Sequence, residues 1–293
     1  MHNLSRAEVQ GLIWASLAVV IWSGSVVALR QGMVTDLNAY DLTALRFGTA
    51  APLLLVVILR QVDVLRRVGL IRLCVITTCF GAPYIMVFSA AIGATSAATA
   101  GALNPGAMAV FATLIGAMFS RRRVGRTGAL GIAAIIAGVC VIVDAQSGGL
   151  TRGHVLLIVT GGMWATYAVF IQTSGIPALL ATSVVAVGSA VFYLPLYVTV
   201  LPRQISDASL QDVAMQMTFQ GVLVSLVAVY AFNRSIELLG LRVSGVLPAL
   251  IPLVCLALGA MFLGEFGGQA QIFAALVIGA GVALILTPGR ARA

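Results

Sequence analysis

Along the chain, apolar positions form long unbroken runs, and polar positions collect in short stretches between them. A run of about 20 apolar residues is long enough to span a bilayer as a helix. Lipid offers no water to the backbone, so the helix must satisfy its own N–H and C=O groups. Ten such runs occur, at about 11–32, 40–59, 70–91, 96–119, 127–144, 153–173, 177–200, 216–238, 243–264 and 269–287. Barrel strands would instead alternate in segments of about ten residues. The pattern predicts an all-α, polytopic membrane protein of ten transmembrane helices. The shortest links, around 93–95 and 174–175, predict antiparallel hairpins. The longest polar stretch, Pro202–Asp212, predicts a small surface helix from Ser206 to Asp212. The first run exceeds the 7–15 apolar residues of a signal peptide and carries Trp14 and Trp22, so an uncleaved first helix is expected.

Composition sharpens this picture. Of 293 residues, 60% are hydrophobic and 9% charged, where soluble domains carry about 25% charged residues. The net charge is +8, with every basic residue an arginine. These arginines sit mostly in short loops, which is the pattern that orients a membrane protein and not the footprint of a nucleic-acid binder. With the N-terminus inside, the inner segments hold Arg6, Arg60, Arg66, Arg67, Arg72, Arg121, Arg122, Arg123, Arg126, Arg242, Arg290 and Arg292. The outer segments hold only Arg152 and Arg203. Both termini are therefore expected in the cytoplasm, and the multi-pass chain in a bacterial inner membrane. Cys74, Cys79, Cys140 and Cys255 each lie in an apolar run without metal-ligand spacing, so no metal or cofactor is expected.

The chain also repeats itself. Gly116-Ala117-Met118-Phe119 recurs as Gly259-Ala260-Met261-Phe262, and at the same offset of 143 Pro105 matches Pro248. Ile135, Ala137, Gly138 and Val139 match Ile278, Ala280, Gly281 and Val282, while at an offset of 142 Trp22 matches Trp164. Two units follow, 1–146 and 147–293. Five spans per unit is an odd number, so the second unit is expected to sit upside down relative to the first. Inverted repeats of this kind have two nearly equivalent packings, each open to one side, which is the arrangement secondary transporters use.

Several segments resemble the drug/metabolite transporter superfamily, EamA-type. They are Trp22-Ser23-Gly24-Ser25 in the first span, Leu45-Arg46-Phe47 in the second and Leu263-Gly264-Glu265 after the ninth. The likeness covers essentially the whole chain. It departs at Arg122, which stands where the repeat would place a counterpart of Glu265. The resemblance implies export of amino acids or other small, partly apolar metabolites by alternating access around a midplane cavity. The implied partners are a small-molecule substrate and the lipid bilayer, with the protein a monomer or homodimer.

Polar and aromatic residues inside spans are the candidate site, because polarity is costly there and tends to face a cavity. Arg46 either snorkels outward or points inward, to a carboxylate-bearing substrate or to Asp41; Arg30 reads as a snorkelling anchor. Asn104 precedes Pro105, where a helix should kink. Pro105 and Pro248 form a candidate hinge pair. Trp22 and Trp164 lie near mid-depth, where two indoles facing one cavity would suit apolar or aromatic substrates and could stack on cations. Phe80, Tyr84 and Phe88 share a helix face, and Tyr230 and Asn233 lie one turn apart. The substrate-binding candidates are Trp22, Arg46, Tyr84, Asn104, Trp164, Tyr230 and Asn233, with Gln220 and Gln172 as further polar positions. Gly116, Gly161, Gly162, Gly259, Gly279 and Gly281 allow close helix approach.

Other classes fit less well. An intramembrane enzyme needs paired acids or a nucleophile–base pair in the spans, but the histidines are His2 and His154, both near span edges, and no two acids share a span centre. Without a mid-depth acid, facilitated transport fits better than proton coupling. A lipid or lipid-linked precursor flippase is the nearer alternative, and a non-transporting structural or receptor subunit the more distant one. A cysteine introduced at Arg122 should label only in permeabilised cells; labelling from outside would reverse the orientation.

Overall fold

The structure, a computed structural model, describes residues 5–32, 35–119, 124–147, 149–245, 247–264, 266 and 268–286. Arg121, Arg122, Arg123, Glu265, Arg290 and Arg292 lie outside the described residues, as do the side chains of Arg30 and Arg242. Among the described residues every regular element is helical. In chain order these are α1 (Arg6–Gly32), α2 (Ala39–Arg60), α3 (Val62–Val68), α4 (Leu70–Phe80), α5 (Ala82–Gly93), α6 (Ala97–Phe119) and α7 (Arg126–Ser147). There follow α8 (Arg152–Ser174), α9 (Ala178–Thr199), α10 (Leu210–Gln216), a π-helical segment (Met217–Ala228), α11 (Val229–Leu239), α12 (Leu241–Ser244), a 3-10 turn (Leu247–Leu250), α13 (Ile251–Leu263) and α14 (Gln269–Leu286).

By length and composition, eight stretches can cross a membrane, the last being Leu210–Leu239. The ninth and tenth expected spans form shorter apolar helices, Ile251–Phe262 and Gln269–Ile285. The ends follow local chemistry. Asn38 opens α2 with a capping box, its side chain accepting from the Tyr40 and Asp41 N–H groups while Asp41 accepts from Asn38 N–H. Gly175 closes α8 in the left-handed region at φ 64°. The expected helix at Ser206–Asp212 starts later: Ser209 caps the Asp212 N–H, so the helix opens at Leu210 and runs on into the eighth span. A surface helix appears instead as α3, exposed or half-buried throughout.

Two spans are broken. Pro83 lacks an N–H and crowds the preceding turn, so the third span divides at Gly81 into α4 and α5. Ser189 of α9 takes up the freed Ala82 N–H at 3.0 Å. The ninth span divides at the 3-10 turn that contains Pro248. Pro105, by contrast, lies inside the unbroken helix α6, so the two prolines of the expected hinge pair sit in unlike surroundings.

The halves interleave. α2 packs on α9, α6 on α13 and α7 on α14; α1 packs on α11 and α13, and α8 on α4, α5 and α6. Exchanging the first five spans for the last five leaves this set of pairs unchanged, as a two-fold relation between repeats requires. The same relation appears at the α7–α14 crossing. A Cβ on Gly281 would stand 2.7 Å from the Gly131 carbonyl oxygen, and one on Gly138 would stand 3.0 Å from that of Ala274. These two contacts are each other's equivalents at the offset of 143. Backbone approach this close needs glycine. Gly281→Ala should therefore lower the melting temperature in detergent, at a cost of about 1–3 kcal/mol from overpacking. Gly279→Ala, which meets nothing within 4 Å, should not.

Candidate functional site

α1 and α8 bury Trp22 and Trp164 where the two halves meet, and their indoles pack edge to face with centroids 4.9 Å apart. Phe80, at the end of α4, contacts both indoles (6.1 and 5.7 Å) and stacks on Tyr167 at 4.5 Å. Tyr84 lies 5.1 Å from Phe80 and Phe88 lies 5.6 Å from Tyr84. The expected aromatic face thus survives the break at Gly81. Such offset and edge contacts each add about 0.5–1.5 kcal/mol beyond area burial, so the cluster is a firm wall.

Beside this wall lies a cavity of about 40 Å³, room for about three waters. α1 lines it with Trp22, Ser25 and Val26, α2 with Arg46, α4 with Phe80, and α5 with Tyr84, Ile85 and Phe88. α6 adds Ala100, Gly101, Asn104 and Pro105, and the second half adds Trp164 and Ile251. Five of the seven candidate binding residues therefore meet in one place, together with Pro105.

The polar residues are held by cross-helix bonds. The Tyr84 hydroxyl donates to Asn104 Oδ1 at 3.3 Å, and Asn104 Nδ2 donates to Thr160 Oγ1 at 2.8 Å and to the Leu157 carbonyl at 3.4 Å. This ties α5, α6 and α8 together. Gly161 permits it: a Cβ there would stand 2.7 Å from the Asn104 carbonyl oxygen. Arg46 is 4% exposed and donates from Nη1 to Gln220 Oε1 at 3.4 Å, while Gln220 Nε2 donates to the Ser25 carbonyl at 3.2 Å. Arg46 does not snorkel, and it does not pair with Asp41. That carboxylate instead accepts from the Tyr197 hydroxyl and from the Asn38 and Gln204 N–H groups. Two buried donors in the wall, Arg46 Nε and Trp164 Nε1, have no hydrogen-bond partner among the described residues.

The remaining candidates lie elsewhere. Tyr230 packs edge-on against Trp14 at 5.5 Å, and Asn233 accepts from the Tyr167 hydroxyl at 2.8 Å and donates to Thr182 at 3.2 Å. Neither lines the cavity. Sequence reasoning missed Tyr167 and Thr160. Tyr167 stands three residues after Trp164, so helical spacing from that tryptophan was an available signal; Thr160 carried none.

Helices that cross a membrane, packed as two exchange-related halves around a polar and aromatic cavity, define a polytopic membrane carrier fold. A model of the EamA-like transporter family matches the chain twice, over residues 9–144 and 151–287, and the chain belongs to that family. No curated protein matches it. A solved structure, titled only "Crystal structure of protein", has the same fold. Its TM-score is 0.67 over 94% of this chain and 95% of that one, at 17% identity.

A double-mutant cycle on Tyr84→Phe and Asn104→Ala, read by unfolding in mixed detergent, should show a coupling of about 0.6 kcal/mol, the average for interhelical bonds in a membrane protein. Additive losses would separate the two residues.

Proposed function

We propose that this protein is a secondary transporter that exports small, partly apolar metabolites, amino acids among the candidates, by alternating access at the cavity between its halves. The observation that carries the reading is the cavity itself: an aromatic wall with a few oriented polar groups, reached by residues of both halves. Binding sites for small molecules are built this way, and transporters with paired repeats place them at the repeat interface. The units 1–146 and 147–293 act as the two moving bodies, inverted relative to one another. The arginine distribution supports cytoplasmic termini, with the protein proposed to lie in a bacterial inner membrane.

Transport then takes the form of an exchange between two packings. Trp22, Trp164 and the Tyr84–Asn104 pair form the wall against which a substrate body rests. The breaks at Gly81 and Pro248 let half-spans tilt without unwinding a whole helix. Cells lacking the protein should retain one or a few small metabolites that wild-type cells release. The intact gene should restore release, and Trp164→Ala should not, while inserting in the membrane at normal levels. Identical metabolite profiles with and without the protein would defeat the reading.

A further inference from the structure

We propose that the transported species is a singly charged carboxylate with a small apolar body and no ammonium group, its carboxylate held by Arg46 and the indole N–H of Trp164. This rests on the transport reading above and narrows it.

The inference starts from a charge. Arg46 is the charged residue among those lining the cavity, and it is buried. Its resolved hydrogen bond is to Gln220, a neutral amide, and a dipole does not cancel a charge. Among the described residues no carboxylate forms an ion pair with it. Asp41 is taken up by Asn38, Tyr197 and Gln204, and Glu237 by Arg234. A cation isolated within a membrane protein is costly unless something pairs with it. The Arg46 Nε and Trp164 Nε1 donors belong to two residues that line the same cavity, and both are buried without a hydrogen-bond partner among the described residues. A guanidinium and an indole N–H, both donors only, suit a carboxylate.

The rest of the wall selects by charge. A monocarboxylate brings the loaded site to neutrality. A zwitterion would leave it at one net positive charge, its ammonium met by aromatic faces alone, with no acid among the described lining residues to balance it. Asn104 already receives Tyr84 and donates to Thr160 and Leu157. A phosphate monoester carries about −1.5 to −2 at neutral pH, more than one arginine offsets. Trp22, Phe80, Phe88, Ile85 and Ile251 leave an apolar surround for the body.

The test uses three compounds that share one branched apolar body: 4-methylpentanoate, leucine and 3-methylbutylamine. Binding to the purified full-length protein is read by tryptophan fluorescence, and exchange by counterflow in proteoliposomes. The anion should bind at least tenfold more tightly than leucine, and the amine not measurably. Arg46→Gln should remove most of the anion's advantage, Arg46→Lys should keep part of it, and inorganic phosphate should not compete. Leucine or the amine binding as well as the anion would overturn the assignment. So would failure of all three to bind folded protein, or an anion preference unchanged in Arg46→Gln. Anion binding without counterflow would leave the assignment standing and defeat the transport reading; counterflow that favours leucine would do the reverse.

Discussion

Within the membrane a polar group has nowhere to turn except to another part of the same chain, and most of the interior of this protein follows from that constraint. Asn104, Gln220 and Asn233 each bridge helices that are far apart in sequence. Asp41, at the mouth of α2, gathers donors from α9 and the loop after it. The bonds of Asn104, Gln220 and Asp41 join the first half to the second, and those of Asn233 tie helices within the second, so polar groups that would be a liability in lipid become ties between helices. Arg46 is the exception, because its charge is met by an amide and not an acid. A bundle this economical with charge does not keep a buried arginine for packing, which a leucine would do at lower cost.

The ties depend on close approach, which the sequence supplies with small residues and interrupted helices. Gly161 lets α8 reach Asn104, and Gly101 leaves room for Cys255 of α13, whose Sγ would be 2.7 Å from an added Cβ. The π-helical segment works similarly. Widened turns are rare and frequently occur at functional sites. Here the stretch that begins beside Gln216 sets Gln216 and Gln220 against the backbone of α1, at the Ala28 and Ser25 carbonyls. Gly221 admits α2 at the same level, since a Cβ there would stand 2.5 Å from Thr49 Cβ. The segment that positions Arg46 is thus the one with irregular helical geometry.

What the sequence discloses divides along physical lines. Hydropathy reads the solvent a segment faces, so eight spans and the all-helical architecture were legible, with ends near the observed ones. The repeat was legible because Trp22/Trp164 and the Gly138/Gly281 faces carry the packing in both halves. Polar cost made Arg46, Tyr84 and Asn104 stand out, and they do meet. Hydropathy is blind to how a span is broken: the interruption at Pro248 was signalled by the proline itself, while the division at Gly81 and the π segment stayed hidden. It is also blind to partner choice. Nothing in the spacing of Tyr230 and Asn233 says that one rests on Trp14 and the other on Tyr167 and Thr182.

The scaffold and the site differ in symmetry, and the difference bears on mechanism. The helix packing is unchanged when the halves are exchanged, but the cavity is not: all but two of its lining residues, Trp164 and Ile251, come from the first half. α9, the counterpart of α2, carries no charged residue at all. A ligand held mostly by one half moves with that half, so those contacts persist in either packing and cannot favour one over the other. A ligand shifts an equilibrium only through contacts that differ between states. On the proposed transport reading, Trp164 and Ile251 are therefore the contacts that would differ between the two packings, while Arg46, carried by the first half, would stay with the ligand in both.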